Sequence, residues 1–162
     1  MFSLCQILVV NLAYGVSMTN YKNQNEEYWK QHLSKDEFEV CRLKGTELPF
    51  ANKYDKFFDK GTYYCACCGG DFPLYSSETK FDSGTGWPSF YAPLPHAITE
   101  QSDKGDLISG IFGIARTEVL CERCNSHLGH VFDDGPQPTG KRFCMNSVAL
   151  LFKADTSVQG QK

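Results

Sequence analysis

Hydrophobic positions change their spacing along this chain at about residue 60. Before that point they recur at helical intervals: Trp29 and Leu33 stand four apart, Phe38 and Cys41 three apart. Each pair therefore shares one face of a 3.6-residue repeat. Asn25 followed by Glu26 and Glu27 has the form of a helix N-cap with acids in the first turn. Ser34 and Glu37 form an S-x-x-E capping box, which predicts a second short helix to about Leu43, stopped at Gly45. From Gly61 onward the apolar residues fall in short runs broken by Gly, Pro, Asp and Ser. Strands are expected at 62–65, 72–75, 97–101, 107–111, 114–121, 129–132 and 147–152. Two helices followed by many short strands predict an α+β, mainly β, fold with a helical N-terminal cover.

The chain has 162 residues, 41% hydrophobic and 14% aromatic, which suits one compact domain, placed at 20–153. The polar residues 154–162 are expected to be a flexible tail. Net charge is −3 and the sequence pI about 5.8. That balance argues against a protein that coats nucleic acid or an anionic membrane. Residues 1–17 are apolar but too short and interrupted to span a bilayer. They carry no basic n-region and no arginine precedes Arg42, so neither a secretory signal nor a mitochondrial presequence is well formed. For residues 1–17 the alternatives are a dispensable leader or a later start at Met18, a weak signal peptide, and an ordered N-terminal arm; residues 1–19 are set apart from the domain as a leader or disordered arm. The expected location is cytoplasmic, or organellar or secreted if 1–17 is a targeting segment. No heptad pattern calls for a partner, and a monomer is expected.

A domain of this length folds on its apolar core without many staples, so eight cysteines exceed what stability needs. Four of them form two C-x-x-C pairs, Cys65/Cys68 and Cys121/Cys124, separated by 52 residues. Paired knuckles of this kind converge four thiolates on one tetrahedral zinc, here as a clip between distant strands. Two independent redox pairs or disulfides are the competing reading. Cys67, inside the first knuckle, is either a buried small residue or a spare thiol. His127 and His130 lie too close to the second knuckle to share its ion, and the four cysteines already satisfy it. Two imidazoles are left with no metal to explain them.

Cys144 stands alone between Arg142 and Asn146. A neighbouring cation favours the thiolate, the nucleophilic form, and His127 and His130 would supply protons or hydrogen bonds if the fold brought them across. The alternative is an inert core cysteine beside a turn with two exposed rings. In the loop Gly84-Thr85-Gly86-Trp87-Pro88 two glycines and a proline pin the backbone. Trp87 is then either an ordinary core residue or a flat wall for a small alkyl group.

Together these segments resemble the B-type methionine sulfoxide reductases. The resemblance rests on KGTELPF (44–50), YYCACCGGDFPLY (63–75), KFDSGTGWPSF (80–90) and the run 115–152, in that order, and covers about 20–153. It implies two antiparallel sheets, a helical N-terminus and a distal four-cysteine zinc site. It implies Cys144 as nucleophile, with His127, His130 and Asn146 lining the site. Arg142 and Asp134 would orient groups there, and Trp87 and Phe132 would receive the methyl group of the sulfoxide. Thiol-dependent reduction of methionine-R-sulfoxide, mainly protein-bound, would pass through a sulfenic acid on Cys144. Many relatives carry a resolving cysteine where this chain has Thr85. Regeneration must then use Cys5, Cys41 or Cys67, or direct attack by thioredoxin, glutaredoxin or a small thiol. Three rivals stand against this reading. A zinc-knuckle binding module would need a basic surface. A sheet that has lost catalysis would not keep Cys144 with both histidines. A disulfide oxidoreductase using its C-x-x-C pairs is excluded if they hold zinc.

Overall fold

A computed structural model of the chain describes residues 20–103 and 116–155. The expected leader, the strand at 107–111 and residues 156–162 lie outside them. The chain enters through α1 (Glu26–His32) and α2 (Lys35–Cys41). The Asn25 side chain accepts the Tyr28 N–H at 2.9 Å. Ser34 and Glu37 close both halves of the capping box, at 2.8 and 3.3 Å, so polar side chains satisfy the first free N–H groups of each helix. Trp29, Phe38 and Cys41 are buried, as the spacing predicts. The second helix stops short of Leu43, because Lys44 takes a left-handed φ of 59° and turns the chain onto the sheets.

Among the described residues, nine strands form two antiparallel sheets. The smaller sheet has the order β2-β1-β9, from Pro73–Ser76, Gly61–Cys65 and Leu150–Ala154. The larger runs β3-β4-β8-β7-β6-β5, from Lys80–Phe81, Ser89–Phe90, Arg142–Met145, His127–Phe132, Arg116–Cys121 and Ile98–Asp103. β3 and β4 are two residues each, too short to leave a periodic signal in the sequence. The strand expected at 147–152 is divided. Ser147–Ala149 is a 3-10 turn and β9 begins only at Leu150. The cause is Glu47, whose carboxylate takes the backbone N–H groups of Ser147 and Val148 away from any ladder. Ala154, assigned to the tail, instead ends β9 opposite Gly61.

An aromatic core contributed by both sheets buries Tyr63, Tyr75, Leu74, Phe90 and Met145. Tyr75 and Phe90 stack at 4.4 Å, and the Tyr75 hydroxyl donates to Met145 Sδ at 3.3 Å, which satisfies its one polar atom in an apolar interior. No helix among the described residues is long and apolar enough to cross a membrane.

Candidate active site

Sheet register assembles the site. Ser89 pairs with Cys144, Cys144 with His130, and His130 with Glu118. Directly opposed residues of an antiparallel ladder project to the same face. Ser89, Cys144, His130 and Glu118 thus form one row across β4, β8, β7 and β6. β7 also carries a bulge: Val119 pairs with Gly129 but Leu120 with His127, so Leu128 is an extra residue. A bulge re-aims neighbouring side chains. Here it brings the His127 ring to 5.2 Å from that of His130. The carbonyl of the extra residue accepts both the Asn146 N–H at 2.8 Å and Asn146 Nδ2–H at 3.1 Å.

The row opens into a cleft of about 110 Å³ lined by Thr46, Trp87, Arg116, His130, Phe132, Cys144 and Asn146. That is small beside pockets that hold a whole cofactor, and it suits the end of a side chain. Trp87 is half-buried, with its indole N–H donating to the Glu47 carbonyl at 3.0 Å. The Glu47 N–H in turn donates to Asn146 Oδ1 at 3.1 Å. Residues 44–52 therefore form a strap that fixes two walls of the cleft at once. The Trp87 loop is pinned further by Gly86, at φ 89°, where an added Cβ would meet the Phe50 ring and amide at 2.8 Å. Its carbonyl accepts the Phe50 N–H at 2.8 Å and the Asn52 side-chain amide at 2.5 Å.

Burial is the largest influence on the Cys144 thiol and pushes it above the ordinary thiol range; Arg142, Thr85 and Ser89 pull the other way. Arg142 favours the thiolate, as its place in the sequence suggests, but desolvation disfavours the charged form by more. The Arg142 guanidinium is held by two hydrogen bonds to Asp134, at 2.8 and 2.9 Å, and lies 4.3 Å over the Phe132 ring. His127 is buried and driven towards its neutral form, against the pull of Glu118. Burial also raises the Glu47 carboxyl, opposed by its hydrogen bonds from Ser147 and Val148.

Of the residues singled out in the sequence, Cys144, His130, Asn146, Trp87 and Phe132 meet in the cleft. His127 sits behind His130, and Arg142 and Asp134 stand outside the lining, against Phe132. Sequence reasoning assigned no role to Thr46, Glu47, Arg116 or Glu118. Glu47 belongs to the KGTELPF stretch, and Glu118 is a lone acid in a β-run; neither carries a local signal of its contacts.

The two knuckles meet where β1 of the small sheet ends and β6 of the large sheet ends. Cys65, Cys68, Cys121 and Cys124 are all buried, with sulfurs within 4.8 Å of one another. Cys65 and Cys124 are 3.8 Å apart and Cys68 and Cys121 3.7 Å. Four thiolates about 2.3 Å from a central ion stand about 3.8 Å apart at tetrahedral angles. The donor set therefore fits one tetrahedral metal ion, and such an ion would bridge the two sheets. Cys67 is buried beside this cluster, next to Cys41. Cys5 lies outside the described residues.

A β-sheet domain with a sulfur clip and a single thiol in a small lined cleft defines a thiol-dependent enzyme domain rather than a binding module. Comparison with known proteins agrees. The SelR domain matches residues 33–154. Peptide methionine sulfoxide reductase MsrB of Pseudomonas syringae pv. syringae is 57% identical over 125 residues, 76% of this chain and 89% of the relative. The protein of that name from Teredinibacter turnerae is 47% identical over 139 residues, 85% and 97% of the two chains. The one from Leptospira interrogans is 45% identical over 137 residues, 84% and 99%. The chain belongs to the SelR-domain family, the B-type methionine sulfoxide reductases.

Proposed function

We propose that this protein reduces methionine-R-sulfoxide, mainly in oxidised proteins, by attack of Cys144 on the sulfoxide sulfur. Family membership makes it an oxidoreductase acting on methionine sulfoxide. The observation that carries the finer reading is the pairing of Cys144 with His130 at the floor of a cleft walled by Trp87 and Phe132. The substrate methyl group packs against the two aromatic faces, and the sulfoxide oxygen turns towards His130 and Asn146. Fixing methyl and oxygen on different walls selects one sulfur epimer.

Cys144 gives its proton to the neighbouring imidazoles, and the thiolate attacks sulfur. The sulfoxide oxygen takes that proton and passes to the Cys144 sulfur as hydroxyl while the thioether leaves. Thiol and sulfoxide become sulfenic acid and methionine, a two-electron exchange in which no atom is lost. Raising the resting thiol by burial holds the proton on Cys144 until substrate arrives. Thr85 stands where a second thiol would attack, and Cys41 and Cys67 are buried at the clip. With those two shut away, and Cys5 outside the described residues, we assign reduction of the sulfenic acid to an external thiol: thioredoxin, glutaredoxin or a small thiol. The first external thiol forms a mixed disulfide and releases water, and the second frees Cys144. We assign the clip to zinc, whose preference for four thiolates matches the donor set; its contribution is to hold the two sheets together. All seven described cysteines are free, which fits a reducing compartment.

Separated R and S epimers of dabsylated methionine sulfoxide, with dithiothreitol as reductant, test this directly. Turnover of R alone, abolished in Cys144→Ser, is expected. Turnover of neither epimer by reduced, zinc-loaded protein would overturn the reading.

A further inference from the structure

Glu118 is a carboxylate only 1% exposed, and it takes no part in the proposed transfer of oxygen from the sulfoxide to Cys144. Both of its oxygens are engaged. One accepts from the Lys44 ammonium at 2.7 Å and the other meets His127 Nδ1 at 2.8 Å. An ammonium only donates, and its positive charge favours the ionised, acceptor-only form of the carboxylate closed onto it. With Glu118 ionised, the proton between it and His127 sits on Nδ1. The other end of the ring is unusual: His127 Nε2 is buried and has no hydrogen-bond partner in the structure. Buried polar atoms are nearly always paired with protein or water, so this end of the ring is open to a proton or a water in the site.

Burial favours the neutral imidazole at this position. A neutral ring with Nδ1 protonated leaves a bare lone pair at Nε2. The Leu128 bulge brings this ring against His130, whose ladder partners are Glu118 on one side and Cys144 on the other.

We propose that Glu118, charged and held by Lys44, is a positioning residue that fixes His127 as the Nδ1–H tautomer. The histidine pair is thereby divided. His127 is the proton acceptor of the pair, and His130 is left as donor towards the sulfoxide oxygen. A carboxylate that orients an imidazole and sets its tautomer is a general device of acid–base sites; here it acts from the neighbouring strand, through a histidine re-aimed by a bulge. Lys44 closes the arrangement from the strap, which couples the tautomer to the same segment that holds Trp87 and Asn146.

This inference rests on the proposed reaction, and the experiment keeps the two apart. Histidine ¹⁵N NMR of the full-length, zinc-loaded protein without substrate reads the tautomer independently of activity. Wild type is expected to show His127 protonated at Nδ1. Glu118→Gln, whose amide can donate to Nδ1, is expected to shift it towards Nε2–H. The same variant should reduce methionine-R-sulfoxide in a single turnover at least tenfold more slowly, with the half-saturating substrate concentration within about twofold. Glu118→Asp, which keeps the charge, should recover part of the rate. An Nε2–H tautomer in wild type overturns the role of Glu118, whether or not any variant folds. So does a folded Glu118→Gln protein that turns over as fast as wild type. A wild type with Nδ1–H that reduces neither epimer overturns the proposed reaction instead.

Discussion

The Thr85 hydroxyl lies 4.0 Å from the Cys144 sulfur, and it is held there by a 2.8 Å hydrogen bond with Ser83. A cysteine at this position would face the sulfenic acid directly. Thr85→Cys is expected to convert the oxidised enzyme from an exposed sulfenic acid to an internal disulfide. After one equivalent of methionine sulfoxide, wild type should form a dimedone adduct seen by intact mass. In Thr85→Cys that adduct should fall at least tenfold, with a mass 2 Da below the reduced form, as two thiols close into one bond. An undiminished adduct would show that the loop cannot bring position 85 onto the sulfur.

Cys144 alkylation should report the balance between burial and charge. Only the thiolate reacts, and burial raises this thiol above its ordinary range, so the rate should rise mainly at pH above that of a free cysteine. Arg142 pulls in the opposite direction. Arg142→Met should therefore move the midpoint of the iodoacetamide rate profile to still higher pH. A midpoint unchanged or lowered by this substitution would contradict the assignment of Arg142 as the opposing charge.

The clip and its neighbour should separate cleanly. Cys121→Ser removes one of four donors and is expected to lose the metal ion, with melting lowered by well over 10 °C or cooperative unfolding lost, since metal binding at such sites is folding free energy. Cys67→Ser should keep one ion per chain by atomic absorption, because the four sulfurs that converge do not include it. Loss of metal in both variants would mean that Cys67 takes part in the cluster.

Gly129 lies between the two histidines, and a Cβ there would meet the Cys144 carbonyl oxygen at 2.1 Å and the Met145 Cα at 2.9 Å. Both obstacles are backbone, so β8 itself must move. Gly129→Ala is expected to destabilise the fold by roughly 3 kcal/mol or more, as overpacking against an unyielding neighbour does. Urea unfolding measures this, and activity should fall further than the folded fraction, because the displaced strand carries the thiol. A change under about 0.5 kcal/mol would show that β7 and β8 separate easily.

Local chemistry determined what the sequence shows by itself. Helix caps at Asn25 and Ser34, the knuckle spacing of Cys65/Cys68 and Cys121/Cys124, and the isolation of Cys144 beside Arg142 are relations within a few residues. They need no knowledge of distant partners. Tertiary structure decided the rest, for three physical reasons. Register between strands far apart in sequence put Glu118, His130 and Cys144 in one row, and a single-residue bulge moved His127 to join them. The strap at 44–52 reaches Asn146, Trp87 and Glu118 through contacts that span up to about a hundred residues. Finally, the state of the Cys144 thiol depends on burial, which no neighbouring residue reveals: the sequence shows the cation that favours a thiolate, and the packed sheet supplies the larger, opposite effect.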